Sequence, residues 1–211
     1  MNPRALIGLG LALLLGGMAL VTAALLPSLR DQSGLGFLGG AARDVGDGRP
    51  GELRTTSYPA GRHNLGDVHY REDPPMGGQH ADFWQLCGVF DHPLWEEGVV
   101  HALEHGTVWI AHDPDLHADR VAELARILPD EGIMSPREGL PGDVVITVWN
   151  AQLALAEVDV EALEEFVDEY ADGHTAPEPQ GSCEAGLDVS EDGRDTLPTV
   201  DPDGTVAGWT A

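Results

Sequence analysis

The sequence predicts an α+β fold with an irregular α/β order: a single small domain holding a short sheet and about two amphipathic helices, preceded by an N-terminal transmembrane helix. Three observations carry this. Hydrophobic residues make up 42% of the 211, and setting aside an apolar start and an acidic end leaves about 120 residues, enough for one core. The chain contains 27 Gly and 15 Pro, which favour turns and short elements over a helical bundle. Stretches of β-rich composition are interspersed with two segments of helical periodicity.

Taken in order, Ala5 to Leu26 is 22 residues without a charge, about 33 Å as a helix against a hydrocarbon core of about 30 Å. Arg4 precedes it, which predicts a single-pass cell-membrane protein with its N-terminus inside and the following domain outside the cytoplasm. A signal peptide cleaved near Val21, Thr22 and Ala23 is the alternative, and it exports the domain equally. Residues 1–29 form this anchor, and residues 30–62, rich in Gly, Arg and Asp, read as a flexible stalk. The globular domain is expected over residues 63–183. Within it, Phe83 to Phe90, Thr107 to His112 and Val144 to Trp149 are strand candidates.

Pro114 to Leu128 reads as a helix with an apolar stripe of Leu116, Val121, Leu124 and Leu128, capped by Asp113. Asp159 to Ala171 is a second, with Asp159 as cap, Val160, Leu163, Phe166, Val167 and Tyr170 on one side, and Gly173 as its stop. Residues 184–211 read as an acidic, disordered tail.

The net charge is -25, every basic residue is Arg, and Lys is absent. Phosphate would be repelled, so nucleic acid is excluded as a partner, whereas cations are drawn from solution. No protein partner is specified by the sequence. The two cysteines, Cys87 and Cys183, permit one disulfide and are expected to form it outside the cytosol. Cys87 is alternatively a soft metal ligand.

Eight of the nine histidines fall between His63 and His117. The densest group is His101-Ala102-Leu103-Glu104-His105, followed by Gly106. As a strand it would hold His101 and His105 about 13 Å apart; as a helical turn it stacks them at about 6 Å, within reach of one ion. Gly106 is placed to end such a turn. The pentapeptide also matches the H-x-x-E-H arrangement of inverzincin proteases, but a domain of this size and a helix soon ended by glycine give that match no context.

Upstream, Pro74-Pro75-Met76-Gly77-Gly78-Gln79-His80 is a diproline followed by two glycines, a loop able to present His80 at a fixed point. The expected metal ligands are therefore His80, His101 and His105. Glu104, His69 and Cys87 are expected to orient a ligand or to take a ligand's place. His63, His92, His117 and His174 read as isolated surface or hydrogen-bonded histidines.

These motifs resemble those of an uncharacterised bacterial family of exported, often membrane-anchored domains. The family shows a PPxSGxH loop, a CG[VI][YF] step, an HxLEHG motif running into a strand, and a late APE segment followed by Cys. The chain is similar at Pro74, Pro75, Gly78 and His80, at Cys87 and Gly88, at His101 and Leu103 to Gly106, and at Ala176, Pro177, Glu178 and Cys183. It departs at Gly77, where the family tends to have Ser. The resemblance spans His63 to Cys183 and implies no established activity.

The function expected from the residues is transition-metal binding outside the membrane, with copper ahead of zinc because Met76 and Cys87 lie nearby. A metal-dependent hydrolase or oxidoreductase using Glu104, or a cell-surface structural module without metal, are the alternatives.

Overall fold

The computed structural model describes residues 49–64, 67–179, 181–196, 199–200 and 206–207. All lie in the compact unit that begins at Ala42. The expected transmembrane helix lies outside the described residues, as does the stalk before residue 49. Among the described residues no helix is long and apolar enough to cross a membrane.

The described residues form an α+β domain with three α-helices and a six-stranded mixed sheet. The strands are β1 (Leu53–Thr55), β2 (Gly88–Val89), β3 (Trp109–His112), β4 (Ile133–Pro136), β5 (Val144–Val148) and β6 (Ala151–Leu155), in the spatial order β1-β6-β5-β3-β4-β2. The helices are α1 (Glu96–Glu104), α2 (Ala118–Ile127) and α3 (Val160–Tyr170). β3 and β4 are parallel and connected through α2, while β5 and β6 form an antiparallel hairpin. Its turn, Trp149-Asn150, places Asn150 at φ 70°, a left-handed conformation that Asn tolerates better than most residues.

Strand alternation gives the sheet two unlike faces. On one, Ile110, Met134, Val144, Ile146, Val148, Leu153 and Leu155 pack against Leu124 of α2 and Leu163, Phe166 and Tyr170 of α3. On the other, Trp109 and Ile133 meet Val99, Val100 and Leu103 of α1, with Trp149 close by. This second face also carries polar side chains. Gln152 donates to the Pro74 carbonyl at 2.9 Å and to Thr147 Oγ1 at 3.1 Å, and accepts from Arg54. Together with a bond from Asn150 N–H to the Met76 carbonyl at 2.9 Å, these hang the diproline loop on the sheet.

Several expectations need correction. Among the described residues the helices number three; α1 escapes the sequence reading because it is buried from Glu97 to Glu104 and so lacks the polar stripe by which α2 and α3 are recognised. The sheet is longer than expected, since β1, β4 and β6 join it. Of Phe83 to Phe90 only Gly88–Val89 is strand; the preceding residues lie against α1 instead, with Gln85 N–H bonded to the Gly98 carbonyl at 3.0 Å. Helix α2 is capped by His117, whose ring accepts from Asp119 N–H at 3.4 Å, while Asp113 closes a turn onto Asp115 N–H. Asp159 caps α3, accepting from Ala162 N–H at 3.2 Å, and Gly173 follows it at φ 74°.

The ordered domain also exceeds both expected boundaries. The end of the supposed stalk pairs as β1 with β6. At the other end Val189, within the supposed disordered tail, is buried: Trp95 N–H bonds its carbonyl at 3.1 Å and its own N–H reaches Gln85 Oε1. The physical reason is a few apolar side chains in otherwise polar segments, too sparse to form a period. Further on, Glu191–Thr196 is a 3-10 turn, and β7 (Thr199–Val200) pairs with β8 (Val206–Ala207).

Candidate metal centre

Four side chains converge where the second face meets α1: His63, His80, His101 and Glu104. One nitrogen or oxygen atom from each lies within 4.8 Å of all the others. His80, His101 and Glu104 are buried and His63 is exposed, so the group opens to solvent on the His63 side.

Helix α1 supplies two members, because positions three apart share a helix face. The Pro-Gly loop supplies His80. Its glycines adopt φ 148° at Gly77 and 113° at Gly78, conformations that side chains rarely take. A Cβ on Gly77 would come within 2.7 Å of the Tyr58 ring, so this chain is built around the absence of a side chain there.

His63 reaches the group through an isolated parallel bridge to His80, in which Asn64 N–H bonds the His80 carbonyl at 2.6 Å and His80 N–H bonds that of Arg62 at 3.2 Å. Gly61 makes this approach possible, since a Cβ there would stand 2.3 Å from the Gly78 oxygen and 2.4 Å from His80 Cε1.

The hydrogen bonds fix which imidazole nitrogens are free. His80 Nδ1 lies 2.9 Å from the Gly78 carbonyl and His101 Nδ1 lies 2.8 Å from the Ala81 carbonyl. A carbonyl only accepts, so both Nδ1 atoms donate, and each neutral ring keeps its lone pair on Nε2. Glu104 accepts from Gly61 N–H through Oε1 at 2.6 Å, leaving Oε2. That oxygen lies 3.0 Å from His80 Nε2, which has no hydrogen-bond partner. Two acceptors thus face each other in a buried place. Such a contact needs a cation between them, either a proton or a metal ion.

Burial bears on which cation it is. It pushes His80 down to about 4, with the Gly78 carbonyl opposing and His63 and His105 adding to the effect. It pushes His101 down to about 3, with His80 and His105 nearby adding to the effect. Glu104 is raised, chiefly by burial and against the bond from Gly61. Near neutral pH both imidazoles are therefore unprotonated, the form that binds metals.

The expected ligands are distributed as follows. His80 and His101 are in the group, and Glu104, expected beside it, is within it. His105 caps α1, and its ring lies 4.8 Å from that of His101. Its nitrogens are nevertheless outside the group: Nε2 is 3.9 Å from Glu178, and Nδ1 is buried without a partner. Trp84 packs against both His101 and His105, and Gly181 lies against the His105 ring. His69 is exposed and outside the group.

Cys87 is bonded to Cys183, with Cα atoms 5.1 Å apart, which removes its thiolate as a ligand. His63 is the member that sequence reasoning missed. Its one sequence signal is its place as first of the eight clustered histidines; the bridge that positions it joins residues 17 apart.

The resulting donor set is three imidazoles and one carboxylate, suited to a four-coordinate divalent ion. No curated protein and no solved structure matches the chain. A family described as "Protein of unknown function (DUF3105)" matches residues 63–185, a span that holds every member of the His63, His80, His101 and Glu104 group. That match covers more than half of the sequence, and the chain belongs to this family.

Proposed function

We propose that the protein binds one divalent transition-metal ion through His63, His80, His101 and Glu104, outside the cytoplasm and tethered to the membrane by residues 1–29. The observation that carries the metal reading is the buried pair of acceptors, His80 Nε2 and Glu104 Oε2, 3.0 Å apart with no hydrogen bond between them. A divalent ion lying between them turns this repulsion into two bonds. The carbonyls of Gly78 and Ala81 orient the rings and raise their basicity as ligands. Zinc moves ahead of copper, because the sulfur that favoured copper at Cys87 is engaged in the disulfide. Export is supported by that disulfide and by the uncharged run Ala5 to Leu26.

The test is elemental analysis of untagged protein after loading with zinc or copper(II) and dialysis. About one ion per chain is expected, and His101→Ala or His80→Ala should abolish retention. Less than about a tenth of an ion per chain with both metals rejects the reading. One observation favours a hydrolytic role for the same ion: His63 leaves one side of the group open to solvent, where a water could approach beside Glu104. A bound water in the metal's X-ray absorption spectrum would support that role, and a closed four-ligand shell would reject it.

A further inference from the structure

We propose that the metal acts as a latch: by binding His63 it fastens residues 59–64 over the site, so that metal occupancy controls how firmly this segment is seated on the domain. This rests on the metal reading above and adds a conformational consequence to it.

The contacts along the segment differ sharply before and after Tyr58. Up to that residue the chain is held by the sheet. β1 pairs with β6, Gly51 N–H bonds the Ala154 carbonyl at 2.7 Å, and Thr56 N–H bonds the Asn150 carbonyl at 2.9 Å. Tyr58 N–H bonds Asn150 Oδ1 at 2.6 Å, its carbonyl accepts from Trp149 Nε1, and its hydroxyl bonds Glu72 at 2.6 Å.

After Tyr58 the anchoring bonds run mainly to the residues of the site itself, with one more from Asn64 Nδ2 to Gln79 Oε1 at 3.3 Å. Gly61 N–H goes to Glu104, and the Arg62 carbonyl and Asn64 N–H pair with the His80 backbone. His63, the exposed member of the group, is carried on this segment, while the other three members belong to the loop and α1. The Gly61 approach, which leaves no room for a Cβ, shows how closely the segment is seated.

Metal bound to His80, His101 and Glu104 alone leaves the segment held by hydrogen bonds such as these, with no coordinate bond to it. Metal bound to His63 as well adds a coordinate bond that must break before the segment lifts. A ligand shifts such an equilibrium only by its difference in affinity for the two states, and here that difference is the fourth ligand.

The sequence supplies a simple readout. With Lys absent, trypsin cuts only after the eleven Arg residues, and Arg62 is exposed within the strap. Full-length protein is digested with and without zinc sulfate, cleavage after Arg62 being followed by mass spectrometry. Cleavage after Arg120, exposed on α2, serves as the reference.

Saturating zinc should slow cleavage after Arg62 by about tenfold, the ratio of affinities with and without one ligand, and leave Arg120 unchanged. His63→Ala should still retain zinc in equilibrium dialysis, more weakly, yet show the same Arg62 rate with and without it.

Zinc retention by the wild type without protection at Arg62, or protection that persists in His63→Ala, overturns the latch and leaves the metal reading standing. Failure of the wild type to retain zinc overturns both.

Discussion

The two faces of the sheet divide the molecule by the kind of interaction each uses. The face under α2 and α3 is built from aliphatic and aromatic side chains whose order follows strand and helix periods. The face under α1 mixes Trp109, Trp149 and Leu103 with Arg54, Thr147, Gln152 and the four residues of the metal group. Apolar packing rewards burial wherever it occurs, whereas each buried polar group needs its own partner. The first face should therefore govern stability, and the second should govern binding.

The largest effect that could break this division is expected at Phe166, 1% exposed in the centre of the α2 and α3 face. Phe166→Ala should destabilise by about 3–5 kcal/mol through lost transfer energy and a residual cavity. Under conditions where the variant remains folded, its metal stoichiometry should equal that of the wild type. Denaturant titration measures the first effect and dialysis the second. A Phe166→Ala protein that is folded but retains no metal would show that the two faces are not separable.

Next in size is the disulfide, which lies on the second face and joins residues 96 apart in sequence. Replacing both Cys87 and Cys183 with Ala should cost about 2–5 kcal/mol. The bond holds the segment in which Gly181 lies against His105 and Val189 is buried, and neither residue belongs to the metal group. Thermal unfolding should therefore report a large loss, and zinc affinity measured at a temperature well below the transition should change little. An affinity that falls in step with stability would sharpen the comparison differently, making the disulfide-bonded cover a part of the site.

The unequal legibility of the two faces in the sequence has the same origin. Helix α3 could be read from Asp159 to Gly173 because its cap, stripe and stop are all local in sequence. The strands around Val144 and Trp109 were legible from β-branched and aromatic composition. Helix α1 was legible only as the turn His101 to His105, since a helix buried all round shows no stripe. Strand β6 hides because Ala151 and Ala154 dilute its alternation, and β1 is three residues in a polar stretch.

Within the site, His80 and His101 stood out by motif and Glu104 by its place beside them. His63 did not, because a bridge between distant segments leaves no local pattern. Nor does spacing say that His105 Nε2 lies beside Glu178 and outside the group.

An intermediate effect concerns pH in the metal-free protein. His80 and His101 are held down to about 4 and about 3 by burial, against an unfolded value near 6.5. As pH falls below about 6.5 the unfolded chain takes up protons that the folded chain refuses, so unfolding gains protons and stability drops. The loss grows until pH passes the folded values. Glu104, raised by burial, works in the opposite sense, since the folded state keeps its proton at a higher pH than the unfolded chain does. Comparison with a variant that lacks both rings isolates the contribution of the histidines. The melting temperature of metal-free wild type should fall between pH 7 and pH 5 by more than that of a His80→Ala, His101→Ala variant. Equal falls would mean that these rings are not kept neutral by the fold.

The smallest effect tests the first face alone, at the cap of α3. Asp159 accepts from Ala162 N–H at 3.2 Å and places a negative charge beside the positive end of the helix. Asp159→Ala leaves that N–H without its side-chain partner and should cost about 1 kcal/mol. Asp159→Asn keeps an acceptor and loses only the charge, so it should cost a few tenths of a kcal/mol. The cap of α2 offers an internal control: His117 accepts at 3.4 Å from an exposed position, a longer bond, and His117→Ala should cost less than Asp159→Ala. Chemical denaturation resolves these steps if the slope with denaturant is unchanged among the variants. All three should retain zinc as the wild type does, because α2 and α3 pack on the face opposite the metal group. An Asp159→Ala protein with normal stability would show that α3 is held by Leu163, Phe166 and Tyr170 without help from its cap, making the apolar face still more purely a matter of packing.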